Sequence, residues 1–155
     1  MSSNPLFQPF KFKSLSLANR VVMAPMTRSR SPNGMPGEDV AAYYRRRAEG
    51  GAGLIITEGV AVDHPAAVGD AGLGEDNIPL LGDDASIAGW RKVVDAVHSA
   101  GGKIVPQLWH QGAMRKPGSG PYPDAPTVSP SGIWGPLGRL TSITPDKIQI
   151  GRAHV

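Results

Sequence analysis

The sequence predicts an α/β fold: the N-terminal part of a (β/α)8 TIM barrel, about three βα units behind an N-terminal hairpin. Two observations carry that expectation. Strand-like apolar runs at residues 21–23, 54–57 and 103–108 alternate with helical patterns, an order whose right-handed crossovers build a parallel sheet. The cluster Gly50-Gly51-Ala52-Gly53 stands before a strand. A doubly wound fold would need its glycines between the first strand and the first helix, where they cradle a pyrophosphate. A whole barrel takes at least about 200 residues, so a chain of 155 reads as truncated, with less than half the strands.

The elements follow in order. Phe10-Lys11-Phe12-Lys13 alternates apolar with charged, and Leu15 and Leu17 alternate again, which predicts a short hairpin. Residues 21–23 form a buried strand, and the Pro/Gly-rich stretch 31–37 leads as a loop into a helix over 38–49. Val40, Tyr44 and Ala48 make its inward stripe, Glu38 and Asp39 suit its positive end, and Gly50-Gly51 stops it. The second strand covers 54–57, followed by a long loop from Gly59 to about Gly82. In the next helix Ile87, Trp90, Val94 and Val97 share a face, Asp83 or Asp84 caps the start, and Gly101-Gly102 ends it. The third strand leads into a Pro/Gly-rich excursion over 110–144, and Thr144-Pro145-Asp146 reads as the cap of a third helix. Residues 1–150 form the expected domain. Residues 151–155 abandon the amphipathic pattern and read as an atypical tail, an expected truncation artefact.

Composition narrows the function. A hydrophobic share of 40% suits a buried core. Sixteen Lys+Arg against thirteen Asp+Glu leave only +3, which calls for no nucleic-acid partner. The run Arg45-Arg46-Arg47 reads as a solvated face favoured by the helix dipole. Zero cysteines exclude a disulfide framework and a cysteine nucleophile and are compatible with a reducing compartment, so a cytoplasmic protein is expected. Neither a signal-peptide pattern nor a run of roughly 20 apolar residues is present, so no membrane partner is expected. His64, His98, His110 and His154 lack metal-ligand spacing.

The chemistry gathers at the strand ends. Strand one runs into Ala24-Pro25-Met26-Thr27, strand two into Thr57-Glu58-Gly59, and strand three into Pro106-Gln107-Leu108-Trp109-His110. In a parallel sheet these turns meet at one end. Pro25 fixes its φ and donates no amide, so a flat ring can approach the chain there. Gly59 has no side chain to hold a ligand off its backbone. Gln107 offers a donor and an acceptor on one plane, which suits the alternating polar edge of a planar heterocycle. The alternative at each position is structural: strand termination for 24–27, a loop glycine, a backbone-satisfied amide, and plain packing for Trp109. Glu58 reads as an interior charge answered by Arg28 or Arg20.

These three motifs, in this order, resemble the Old Yellow Enzyme family of FMN-dependent oxidoreductases. The resemblance spans about residues 4–150. It implies FMN as cofactor with NADPH or NADH as reductant, and NAD(P)H-driven reduction of activated alkenes in the full-length parent. It places Ala24, Pro25, Met26, Thr27, Gly59 and Gln107 against the flavin, with the Thr27 hydroxyl on the flavin carbonyl nearest the reactive nitrogen. Trp109 would border a small-molecule substrate. The family's anion-binding and proton-donating residues come from a later strand, so the catalytic residues are expected downstream, and His110 takes no acid–base role. Homo-oligomerisation is left open. Two alternatives stand beside this reading: a truncated, non-catalytic partial barrel with open edges, and an enoyl or dienoyl thioester reductase or a demethylating relative of the same family.

Overall fold

The computed structural model describes residues 4–69 and 77–128 together with three two-residue strands at 133–134, 141–142 and 148–149. Two compact units are formed, residues 1–60 with 77–108 and residues 61–76 with 109–155. The first opens with a hairpin of β1 (Phe10–Phe12) and β2 (Leu15–Leu17), antiparallel with Phe10 opposite Leu17. Next come β3 (Val22–Met23), α1 (Glu38–Glu49), β4 (Leu54–Val62), β5 (Leu80–Leu81), α2 (Asp84–Ser99) and β6 (Ile104–Trp109).

The sheet is organised around β4. β3 runs parallel to it, Val22 beside Leu54 and Met23 beside Ile55. β6 also pairs with β4. The Ile55 amide donates to Lys103 O at 2.8 Å and the Gln107 amide to the Thr57 hydroxyl at 3.2 Å, so residue numbers rise together and this pair is parallel too. Both neighbours meet β4 near Ile55, which puts them on its opposite edges. The core between sheet and helices is Val40, Tyr44, Ala48, Ile55, Val60, Trp90, Val93 and Val97. Lys92 of α2 reaches Glu38 of α1 at 2.7 Å.

Both helices end as expected. After α1, Gly51 takes φ +86° while its amide donates to Ala48 O and the Ala52 amide to Arg47 O. After α2, Gly101 takes φ +75°, with matching bonds from Gly101 to His98 O and from Gly102 to Val97 O. Each is a Schellman motif that satisfies terminal carbonyls. Asp83 is the N-cap of α2, its side chain accepting from the Ser86 amide at 2.7 Å.

Several expectations need correction, the first being a buried β3: Val22 keeps 45% of its surface and Val21, just before it, 38%. β4 continues through Gly59 to Val62, because the β-branched, apolar run Val60-Ala61-Val62 continues the strand and is mostly buried. On α2 the buried residues are Ser86, Trp90, Val93 and Val97, while Ile87 and Val94 are half-buried. Ser86 can be buried on this face because its hydroxyl donates to Asp83 O at 2.9 Å. Ile148–Gln149 is not helical. It forms β10, parallel to β7 (Thr127–Val128), with Ile148 beside Thr127 and Gln149 beside Val128. The Thr144-Pro145-Asp146 cap and the tail at 151–155 lie outside the described residues. β8 (Ile133–Trp134) and β9 (Thr141–Ser142) pair antiparallel inside the stretch read as a loop. Among the described residues no helix is long and apolar enough to cross a membrane.

Candidate flavin site

Two polar side chains stand out on the strands flanking β4. Thr27 follows β3 and Gln107 lies in β6. Both are exposed, and neither side chain has a hydrogen-bond partner among the described residues. Ala24 and Met26 are exposed as well, Pro25 is half-buried, and Met26 keeps 54% of its surface. Gly59 is buried inside β4. Trp109, the last residue of β6, is half-buried and belongs to the second unit.

Behind them sits a buried polar cluster. Glu58 is 1% exposed, and its Oε2 accepts the Arg28 amide at 2.9 Å. The Tyr44 hydroxyl accepts the Glu58 amide at 2.9 Å and donates to Glu58 Oε1 at 3.5 Å. Arg28 Nη1 stands 4.0 Å from Glu58 Oε1, close enough for charge attraction but too far for a hydrogen bond. Burial pushes the Glu58 carboxyl above its ordinary range, against the pull of Arg28. Burial likewise pushes the Tyr44 hydroxyl up to about 12.

The guanidinium carbons of Arg28 and Arg47 each lie 3.5 Å from the centre of the Tyr43 ring. Two cations cannot share one face at that distance, so Tyr43 is sandwiched between them. Arg47 therefore belongs to a packed stack, not to the solvated face expected of the arginine run. Arg45, exposed and paired with Glu49 at 2.8 Å, does fit that expectation. Glu58 is answered by Arg28, as the sequence led us to expect.

In the second unit Arg115 is fully buried. Its donors reach Val68 O, Ala125 O, Thr127 Oγ1, Ser119 O and Tyr122 O at 2.7–3.3 Å. All five guanidinium N–H groups are satisfied by neutral oxygens, which makes Arg115 the organiser of this loop. His110 Nδ1 accepts the Gly112 amide at 2.9 Å, so its proton sits on Nε2, 3.4 Å from His64 Nδ1. Burial, then His64 and Arg115, push His110 below its ordinary value, in keeping with a neutral structural ring. No group of three metal-ligating side chains exists among the described residues.

The chemistry of the exposed set fits a flavin. A hydroxyl donor and a planar amide carrying both donor and acceptor match the polar edge of the ring, while the exposed Ala24-Pro25-Met26 surface offers apolar contact without an unpaired proline amide. The residues that hold this set, Thr57 and Glu58, were not legible as holders in the sequence. A Thr-Glu pair at a strand end is the signal that was present, but it does not name its partners.

Comparison with known proteins agrees. Residues 5–136 match the NADH:flavin oxidoreductase / NADH oxidase family. 12-Oxophytodienoate reductase 7 of Oryza sativa subsp. japonica is 44% identical over 108 residues, 70% of this chain and 26% of the relative. A solved structure of morphinone reductase in complex with tetrahydroNAD is similar with a TM-score of 0.71 at 43% identity, covering 83% of this chain and 33% of that one. The Old Yellow Enzyme homologue from Zymomonas mobilis gives a TM-score of 0.70 at 33% identity, covering 91% and 38%. The chain belongs to the NADH:flavin oxidoreductase family, that of the Old Yellow Enzymes, and its fold is the first part of their TIM barrel. It spans about a quarter to two fifths of the relatives' length.

Proposed function

We propose that this chain supplies part of the flavin site of an FMN-dependent ene-reductase acting on a small activated alkene. The observation that carries the proposal is the pair Thr27, just past β3, and Gln107, in β6 on the other side of β4, whose exposed side chains have no hydrogen-bond partner among the described residues. Bound FMN would supply hydride transfer from NADPH or NADH to the β-carbon of an alkene conjugated to a carbonyl, with a proton added at the α-carbon. Thr27 would donate its hydroxyl to a flavin carbonyl, favouring the reduced, more negative ring. Gln107 would hold the pyrimidine edge in one orientation, and Gly59 and the 24–26 backbone would border the ring plane. Trp109 would flank the substrate. Two of the relatives above are named as reductases of 12-oxophytodienoate and of morphinone, in line with an oxo-bearing substrate.

The test is anaerobic stopped-flow reduction of the full-length flavoprotein by NADPH and by NADH. Loss of one hydrogen bond to a developing charge is worth about 1.5–3 kcal/mol, so Thr27→Ala should slow flavin reduction by about tenfold or more. An unchanged reduction rate would remove Thr27 from the site.

A further inference from the structure

We infer that Thr57 and Glu58 form a brace that positions Thr27 and Gln107 relative to each other, an inference that rests on the flavin reading above. β3 and β6 lie on opposite edges of β4, so the spacing between the two side chains must be set through the strand between them. β3 ends at Met23, four residues before Thr27, and the strand ladder no longer holds the chain there. At that point the Glu58 carboxylate takes the Arg28 amide. That amide nitrogen is bonded to the carbonyl carbon of Thr27. Because the peptide unit is planar, fixing it fixes the plane on which Thr27 sits. On the other edge, the Thr57 hydroxyl accepts the amide of Gln107 itself while donating to Glu58 O at 2.7 Å, which leaves its oxygen turned to Gln107.

The brace is itself held. Tyr44, buried with Glu58 and Thr57, donates to the carboxylate and accepts the Glu58 amide. Arg28 is fixed a second time by its stack on Tyr43. Charge assistance makes the carboxylate-to-amide bond stronger than a neutral one. Two adjacent residues of one strand thus set both flavin-facing side chains without touching the flavin. They are positioning residues, not catalytic ones.

The experiment is site-resolved amide hydrogen exchange on the full chain, with flavin dissociation constant and reduction potential measured on the same samples. Thr57→Val, close in shape but without the hydroxyl, should speed exchange at the Gln107 amide at least tenfold while Ile55 keeps its protection. It should also weaken FMN binding and move the potential, and Thr57→Ser should restore all three. Glu58→Gln keeps an acceptor without the charge, so its Arg28 amide should exchange at a rate between those of wild type and Glu58→Ala. A Gln107 amide as protected in Thr57→Val as in wild type overturns the brace, as does a Thr57→Ser protein no closer to wild type than Thr57→Val. If Gln107→Ala weakens flavin binding and Thr57→Val does not, the brace alone fails. If Gln107→Ala leaves flavin binding unchanged, the flavin reading fails and takes the positioning role with it.

Discussion

Tyr44 gives the buried cluster a pH signature. In the unfolded chain its phenol ionises at about the ordinary 10.0, whereas burial holds it to about 12 in the fold. A group whose folded value is raised contributes stability that is fully present below the unfolded value. That contribution is lost as pH climbs from 10 toward 12, because the unfolded chain sheds its proton first. The difference between the two values corresponds to roughly 3 kcal/mol at most. Tyr44→Phe should therefore flatten the decline of stability across that window, as read by urea unfolding at a series of alkaline pH values. A decline as steep as that of wild type would contradict the buried, protonated phenol. At this scale the sequence was legible where a residue acts through its own position. Thr27 lies four residues past β3 and Gln107 within β6, and both side chains are exposed without a hydrogen-bond partner among the described residues. It was not legible where a residue acts through a partner 30 or 50 positions away, as Glu58 does on Arg28 and Thr57 on Gln107. No local pattern encodes those pairings.

Among the elements, α2 shows how local chemistry fixes a boundary that packing then uses. Asp83 takes the Ser86 amide, and its carboxyl lies below its ordinary value because of those Ser86 bonds. Asp83→Ala should cost about 0.5–2 kcal/mol of stability, seen as a lowered midpoint in denaturant with an unchanged m-value. A variant as stable as wild type would mean that the cap contributes nothing. Helix ends were readable because capping residues and C′ glycines act within a few positions. The facing of α2 was less so, since Ser86 is polar by composition and buried by its capping bonds. β4 overran its expected end because a glycine stops a strand only where polar residues come after it, and Val60-Ala61-Val62 after Gly59 is apolar.

At the scale of the whole molecule, β6 pairs only with β4 among the described residues, and Val105 and Leu108 keep 41% and 62% of their surface. Strands of parallel sheets are ordinarily covered on both faces, so these apolar side chains mark where the barrel reading expects further structure. The βα order together with the place of the Gly50-Gly51-Ala52-Gly53 cluster led to a partial barrel, which matches part of the fold of the solved relatives. Native mass spectrometry of the full-length protein, gently purified from its own source, shows whether this chain contributes to a flavin site. One FMN per chain, released on denaturation, is the expected result. Full-length protein that carries no flavin and takes none up when FMN is added would contradict it.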